Sequence, residues 1–176
     1  MTRIHTISAN ARHLREPEEI AQLEYAAAAD PAPLQRPKGF ASTGKRGNCA
    51  IVAFATLTGV DYRAAEDAIW ASMQTRKRNT RFDRAAWGGE CWPELDYLPA
   101  AKALGVVGLK RHKVRRQQVK SFARHTDPSK LTVLMVTRHA MTLKAGLLMD
   151  QQGSMPVADR ERRSKQFVTE IWTMEG

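Results

Sequence analysis

Residues 47–59 read GNCAIVAFATLTG, and the interpretation of the whole chain starts from this stretch. Asn48 is a residue type that often precedes a helix, and the apolar run from Cys49 to Leu57 follows it directly. Gly59 ends the helix, because glycine readily adopts the left-handed backbone found at helix C-termini. The pattern therefore predicts a largely apolar helix whose first residue is a cysteine.

A cysteine in the first turn of a helix is well placed for reactivity. The free N–H groups and the positive end of the helix dipole favour the thiolate, which is the nucleophilic form. Gly44 and Gly47 let the backbone approach a substrate, and the Cys49 N–H with a neighbouring donor would hold an oxyanion. The alternative is a small buried residue without chemistry, since free cysteine is among the most buried residue types.

Two further helices are expected after this one. Asp61 is predicted to cap a helix that has Ala65, Ile69 and Met73 on its inner side. Another helix is predicted from Pro93 to Leu104, because proline suits a first helical turn and the following glycine stops the helix.

The second half of the chain has the pattern of a sheet. Its short apolar segments are bounded by turn residues and polar stretches. The predicted strands are 106–109, 131–137, 140–143, 147–149 and 167–172, with a polar helix over 115–125 and a charged loop over 151–164. Helices followed by antiparallel strands predict an α+β fold rather than a doubly wound one.

One predicted hairpin brings a histidine and an aspartate together. A two-residue turn at 144–145 places His139 directly opposite Asp150, close enough for the carboxylate to orient the imidazole. A turn at 145–146 instead places Gln152 opposite the histidine. The alternative to a functional pair is a histidine at a strand start and an aspartate in a turn.

Cys49, His139 and Asp150 together describe a Cys–His–Asp system. The histidine would take the thiol proton or stabilise the thiolate as an ion pair, and the aspartate would fix the imidazole tautomer. The nucleophile would come from an early helix, and the other two residues from a later sheet.

Several motifs taken in order resemble those of small papain-like cysteine peptidases of phages and bacteria. The stretches GNCAIVA (47–53) and LTGVDY (57–62) resemble the family's nucleophile helix and its continuation into a second helix. RHAMTLKAGLLMD (138–150) resembles its histidine hairpin, and residues 95–105, within and just after the third predicted helix, have a counterpart too. The final predicted strand also fits, so the resemblance covers about residues 44–173.

The resemblance implies a papain-like fold, with a helical part carrying Cys49 packed on a sheet carrying His139 and Asp150, and a substrate cleft between them. Two positions depart from the family pattern. Arg138 stands where members often have glycine, and no glutamine precedes the cysteine to complete the oxyanion hole. Asn48 is a candidate substitute for that glutamine, together with Thr43 and Lys45.

Residues 87–92 hold a second group of candidates. Cys91 follows two glycines and precedes Trp92, so it could be a nucleophile or redox partner, or a structural or cleft-lining residue. Trp87 and Trp92 would either line a substrate groove or pack beneath a loop. His112 and His125 lie in polar, basic surroundings and are predicted to be surface residues.

The charge of the chain is strongly positive. Lys and Arg total 28 against 18 Asp and Glu, which gives a net charge of +10. The basic residues cluster at 76–78, 110–113, 115–116 and 160–165. These clusters are either solvated faces or contacts for an anionic partner, such as nucleic acid or an acidic protein. No spacing typical of metal ligands, phosphate loops or dinucleotide sites occurs, so we expect no cofactor.

We expect two parts in the chain. Residues 1–39 would be a tail with a short helix and a Pro-rich linker, and residues 40–176 the papain-like domain. Two cysteines and no secretory signal predict a reducing compartment, namely the cytoplasm, or the host cytoplasm or virion if the protein is phage-encoded. No apolar run approaches the ~20 residues of a membrane span, and the oligomeric state is left open.

These observations lead to two functional expectations. The first is a cysteine-dependent hydrolase, peptidase- or amidase-like, acting on a peptide or isopeptide bond of a protein or peptide substrate. The second is an inactive papain-like scaffold that binds nucleic acid or an acidic host protein through its basic surface, as an inhibitor or virion component.

Overall fold

The computed structural model describes residues 34–40, 48–74 and 96–175, which belong to one compact unit beginning at Pro33. The helices are α1 (Cys49–Thr58), α2 (Tyr62–Gln74), α3 (Leu98–Ala103), α4 (Val119–His125) and α5 (Glu161–Ser164), with a 3-10 turn at Val157–Asp159. The strands are β1 (Leu109–Gln118), β2 (Thr132–Val136), β3 (His139–Lys144), β4 (Leu147–Asp150), β5 (Gly153–Pro156) and β6 (Phe167–Met174). Helices followed by a six-stranded antiparallel sheet confirm the α+β prediction.

The strands form one sheet in the order β1-β6-β2-β3-β4-β5. Strands β2 to β5 are a meander in which each strand pairs with the next. Strand β6 comes last but lies between β1 and β2, and it is antiparallel to both. The sheet is therefore completed by pairing between distant parts of the chain.

Alternate strand residues enter two separate apolar clusters, one for each face of the sheet. The first cluster contains nearly all of α1, with α2, α3 and sheet residues such as Val133, Met149 and Trp172. The second contains Leu134, Met141 and other residues packed with α4. Helix α1 is buried except at Thr56 and Thr58, which are partly exposed.

The predicted ends of α1 and α2 are confirmed where the structure describes them. Gly59 has φ +73°, and its N–H donates to the Ala55 carbonyl. The Asp61 carboxylate accepts a hydrogen bond from the Arg63 N–H at 2.8 Å, as expected of a capping residue. The predicted inner side of α2, formed by residues 65, 69 and 73, is buried.

The prediction for residues 106–118 is wrong, whereas the C-terminal part of the helix predicted over 115–125 is confirmed. Strand β1 begins at Leu109 and runs to Gln118, and the helix occupies only residues 119–125. The basic run of β1 has no apolar alternation, and it becomes a strand because β6 pairs with it, from Leu109↔Met174 onward. Tertiary pairing outweighs local preference here.

Two other predicted segments also differ. The third helix spans only Leu98–Ala103 among the described residues, and the start predicted at Pro93 lies outside them. The stretch 151–164, predicted as a loop, contains β5, the 3-10 turn and α5. Short elements of this kind depend on packing beside β4 and α4 rather than on a local pattern.

The prediction for residues 1–33 lies outside the described residues. Phe40, the predicted start of the domain, packs edge-on against Tyr62 with ring centroids 5.2 Å apart. Within residues 34–40, 48–74 and 96–175, no helix is long and apolar enough to cross a membrane.

Candidate active site

Cys49 is the first residue of α1, and its side chain is buried, with 2% of the residue exposed. The helix begins as expected, because the Val52 N–H donates to the Asn48 carbonyl. The side chain of Asn48, however, makes no capping hydrogen bond. Its amide nitrogen donates instead to the Tyr62 hydroxyl at 3.3 Å, which ties the residue before the thiol to α2.

The position of α1 is further fixed by Tyr97, which sequence reasoning did not single out. The buried Tyr97 hydroxyl donates to the Ala50 carbonyl at 2.9 Å. Its ring packs between Phe54 and Trp172, with centroid distances of 5.0 and 5.1 Å. A buried tyrosine needs a hydrogen-bond partner, and the one it finds is in the first turn of the helix that carries Cys49.

His139 begins β3 and Asp150 ends β4, but they are not directly opposite as predicted. The turn lies at Ala145–Gly146, where φ is +47° and +74°, and Thr142 therefore pairs with Met149. This register makes the two residues diagonal neighbours on one face of the sheet, still within reach of long side chains. His139 Nε2 and Asp150 Oδ2 are 3.0 Å apart. The predicted contact therefore forms, but in the register that has the turn at 145–146.

The Cys49 side chain hydrogen-bonds His139, and the three residues are thus in contact. Because Nε2 is engaged by Asp150, Nδ1 is the ring nitrogen left for the thiol. Burial acts to lower the pKa of His139, but the hydrogen bonds with Asp150 and Cys49 outweigh it and raise the pKa above its usual value. The structure therefore favours a protonated imidazole beside the thiol.

Asp150 is held by more than the histidine. The Gln152 N–H donates to Oδ1 at 2.8 Å, and Arg160 donates from Nη1 to Oδ2 at 3.2 Å and from Nη2 to Oδ1 at 3.3 Å. Burial acts to raise the pKa of Asp150, but the hydrogen bonds from His139 and Gln152 and the Arg160 charge lower it below its usual value. The carboxylate is thus ionised at neutral pH.

Sequence reasoning missed Arg160, because it lies in the stretch predicted as a charged loop. The only signal for it was the basic cluster at 160–165, whose composition predicts a surface position for every member. In the structure Arg160 is buried, whereas its neighbour Arg162 is exposed. A single buried member of a charged run cannot be distinguished from the others without the fold.

The other predicted site residues lie outside the described residues. Thr43 and Lys45 fall in 41–47, and Trp87, Cys91 and Trp92 fall in 75–95. His125 is exposed, and His112 is partly exposed with Nε2 at 3.1 Å from the Thr173 hydroxyl. Among the described residues, no three His, Cys, Asp or Glu side chains group in a way that could hold a metal ion. Comparison with family models, curated proteins and solved structures finds no match.

Proposed function

We propose that this protein is a cysteine-dependent hydrolase of the papain-like kind, which cleaves a peptide or isopeptide bond. The observation that carries the proposal is the chain of contacts from Cys49 through His139 to Asp150, in a buried site at the start of α1. The same three residue types are expected of a nucleophile, a base and a residue that orients the base.

In the proposed reaction, the Cys49 sulfur attacks the carbonyl carbon, and a C–S bond forms as the carbonyl oxygen becomes an oxyanion. The Cys49 N–H at the start of α1 would contribute to holding that oxyanion. His139 then gives a proton to the departing amine as the C–N bond breaks, which leaves an acyl-thioester. Water, deprotonated by His139, attacks the thioester and releases the acid and the thiol.

The first test measures the Cys49 thiolate as a function of pH in wild type and in His139→Ala. An ordinary thiol, with a pKa near ~8.5, is mostly protonated at about pH 6, whereas an imidazolium-paired thiolate persists there. Iodoacetamide labelling is read by mass spectrometry at Cys49 and Cys91 separately. Because Cys49 is buried, the ultraviolet absorbance of the thiolate is followed in parallel.

His125→Ala is the matched control, since His125 is exposed and stands outside the site. We expect a thiolate at Cys49 near pH 6 in wild type and the control, and its loss in His139→Ala. If Cys49 titrates as an ordinary thiol in all three proteins, the hydrolase proposal is wrong.

A second candidate function is supported by the basic edge of the sheet. Strand β1 has pairs Lys113↔Glu170 and Gln117↔Val168, so residues 114–116 stand opposite the single residue Thr169. This bulge carries Arg115 and Arg116, both exposed. Among the described residues, neither arginine forms an ion pair.

The Arg116 guanidinium lies over the ring of Phe167, 4.4 Å from its centroid, and Phe167 is 39% exposed. Exposed cations beside an exposed aromatic ring are typical of surfaces that bind single-stranded nucleic acid. We therefore propose, as the second candidate, that this edge binds a single-stranded nucleic acid through its phosphates, as an inhibitor or virion component could.

The test measures binding of a labelled single-stranded oligonucleotide over a range of salt concentrations. For Arg115→Ala/Arg116→Ala we expect weaker binding and a smaller slope of log affinity against log salt, by roughly 0.7 for each phosphate that an arginine no longer neutralises. Lys130→Ala/Lys144→Ala removes the same charge from exposed sites near the β3–β4 turn and should leave more of the affinity. Binding that is insensitive to salt, or equally weakened in both variants, would exclude this edge.

A further inference from the structure

Arg160 lies between the 3-10 turn and α5, and only 9% of the residue is exposed. Besides its two contacts with Asp150, Nη2 donates to the Gly153 carbonyl at 2.9 Å and Nη1 donates to Gln152 Oε1 at 3.4 Å. The guanidinium therefore joins the end of β4, the following turn and the start of β5. A buried cation with this many acceptors has one defined position.

One carboxylate oxygen of Asp150, Oδ2, contacts both the histidine and the arginine. Asp150 Oδ2 is 3.0 Å from His139 Nε2 and 3.2 Å from Arg160 Nη1, while Oδ1 receives Arg160 Nη2 and the Gln152 N–H. A planar guanidinium that contacts both oxygens of a carboxylate fixes the plane of that carboxylate. In this site, the plane determines whether Oδ2 faces the imidazole.

We propose that Arg160 is a positioning residue of the Cys49–His139–Asp150 site. It keeps Asp150 ionised and turned so that Oδ2 accepts the hydrogen bond from His139 Nε2–H, which leaves Nδ1 to serve the thiol. This inference rests on the proposed hydrolase function. It assigns the segment after β4 a role in the chemistry, although none of its side chains contributes the nucleophile or the base.

The charge of Arg160 has a second effect of opposite sign, and the test must separate the two. A nearby guanidinium opposes protonation of His139, as the Arg163 charge from α5 also does. Besides burial, the groups that act on the pKa of His139 are Asp150 from β4 and Cys49 from α1, which raise it, and Arg163 from α5, which lowers it. If Arg160 acted only as a repelling charge, its removal would favour the imidazolium; if it positions Asp150, its removal disfavours the imidazolium.

The experiment follows Cys49 thiolate formation against pH in wild type, Arg160→Met, Arg160→Lys and the control Arg162→Met. Arg162 is an exposed neighbour on α5. In Arg160→Met we expect the thiolate to form only at higher pH, and a rise of one in the thiol pKa leaves about tenfold less thiolate near pH 6. Arg160→Lys keeps the positive charge but loses the planar guanidinium that contacts both carboxylate oxygens. Its Cys49 thiolate should therefore form at a pH between those of wild type and Arg160→Met. Arg162→Met should match wild type.

A second readout is the ¹⁵N NMR spectrum of the His139 ring, in which the Nε2–H bonded to Asp150 gives its own signal. That signal should be present in wild type and weakened or displaced in Arg160→Met. A thiolate that forms at lower pH in Arg160→Met, or an unchanged curve, would overturn the proposal. If Arg160→Met does not fold, a wild-type curve and NMR signal in Arg160→Lys would overturn it instead.

The proposed hydrolase function can fail separately. If wild-type Cys49 forms no thiolate near pH 6, the hydrolase proposal fails whatever the variants do. The His139 signal still reports whether Arg160 holds the Asp150–His139 pair, so a structural role of the arginine would be distinguished from a catalytic one.

Discussion

Charged residues at the two ends of the sheet lie in opposite environments. On the side of β3, β4 and β5, His139 and Arg160 are buried, and both contact the buried carboxylate of Asp150. On the outer edge formed by β1, the exposed Arg115 and Arg116 have no ion-pair partner among the described residues. Burying a charge is costly unless it is paired, whereas an exposed charge is stabilised by water and screened by salt.

This contrast separates residues that control the site from residues that control the surface. On the buried side, each charged group depends on the geometry of the others, so a substitution there should change both stability and chemistry. At Arg115 and Arg116, no ion pair among the described residues ties the charge to the core, so a substitution there should change mainly what the surface binds. Substitutions on each side therefore test the contrast directly.

The largest effect is expected for Asp150→Ala. The substitution leaves Arg160 as a buried cation without its counter-charge, which typically costs about 3–5 kcal/mol. Urea unfolding measures the loss. Asp159→Ala, at an exposed aspartate in the neighbouring 3-10 turn, is the control and should change the free energy of unfolding by no more than about 0.5 kcal/mol. Equal losses of unfolding free energy in Asp150→Ala and Asp159→Ala would show that the buried carboxylate contributes no more to stability than an exposed one.

A pH-dependent effect is expected at His139. Its pKa is raised in the folded protein, so the folded state binds the imidazole proton more tightly than the unfolded state does. The resulting stability is fully present below the unfolded value of about 6.5 and is lost as pH rises through the folded pKa. Urea unfolding of wild type and His139→Gln from about pH 5 to about pH 9 should show a difference that shrinks with rising pH. A constant difference would contradict this coupling.

Asp150 gives the opposite dependence. Its pKa is lowered in the folded protein, so its stabilising effect is present above the unfolded value of 3.8 and is lost as pH falls through the folded pKa. Acid unfolding of Asp150→Asn, compared with wild type, should therefore show a smaller loss of stability on the acid side. If wild type and Asp150→Asn lose stability in parallel, the carboxylate is not held as described.

A gain in stability is expected for Arg138→Gly. Arg138 lies in the β2–β3 turn directly before His139 and has φ +55°, a left-handed conformation that costs a non-glycine residue roughly 1 kcal/mol. Glycine relieves this cost but adds freedom to the unfolded chain, so we expect a net gain of up to about 1 kcal/mol in urea unfolding. Thr137→Gly, at the preceding turn residue without a positive φ, should give no gain.

The smallest effect on stability is expected for Arg115→Ala/Arg116→Ala. Both residues are exposed in the β1 bulge, and surface substitutions usually change the free energy of unfolding by about 0.5 kcal/mol or less. A larger loss in urea unfolding would show that the bulge supports the sheet. The charges of the β1 edge would then be coupled to the core, as those of the buried side are.

The features that could be predicted from the sequence depend on neighbouring residues. The apolar run after Cys49, the glycine that ends α1 and the cap at Asp61 are local signals, and the structure confirms them. The α+β class followed from the order of such segments. The contact between His139 and Asp150 was predicted from the register with the turn at 144–145. It forms in the other register because the two residues are still diagonal neighbours on one face of the hairpin.

The features that sequence reasoning missed depend on distant residues. The basic run of β1 is a strand only because β6, from the far end of the chain, pairs with it. The register of the hairpin depends on Ala145 adopting a positive φ, which is unusual for alanine. Burial of Arg160 depends on the turn after β4. None of these can be obtained from composition or periodicity within a short window.

The central position of β6 has a consequence for how the protein folds. Because this strand lies between β1 and β2, the basic edge strand has no partner until residues 167–174 have been synthesised. Until then, the buried indole of Trp172 is missing from the cluster around α1, and β2 exposes an unpaired edge. Pairing β1 with β6 closes a long loop of intervening chain. Contacts between such distant residues form slowly, and strands that are still unpaired are prone to aggregation. A nascent chain arrested before β6 should therefore be the species most in need of a chaperone.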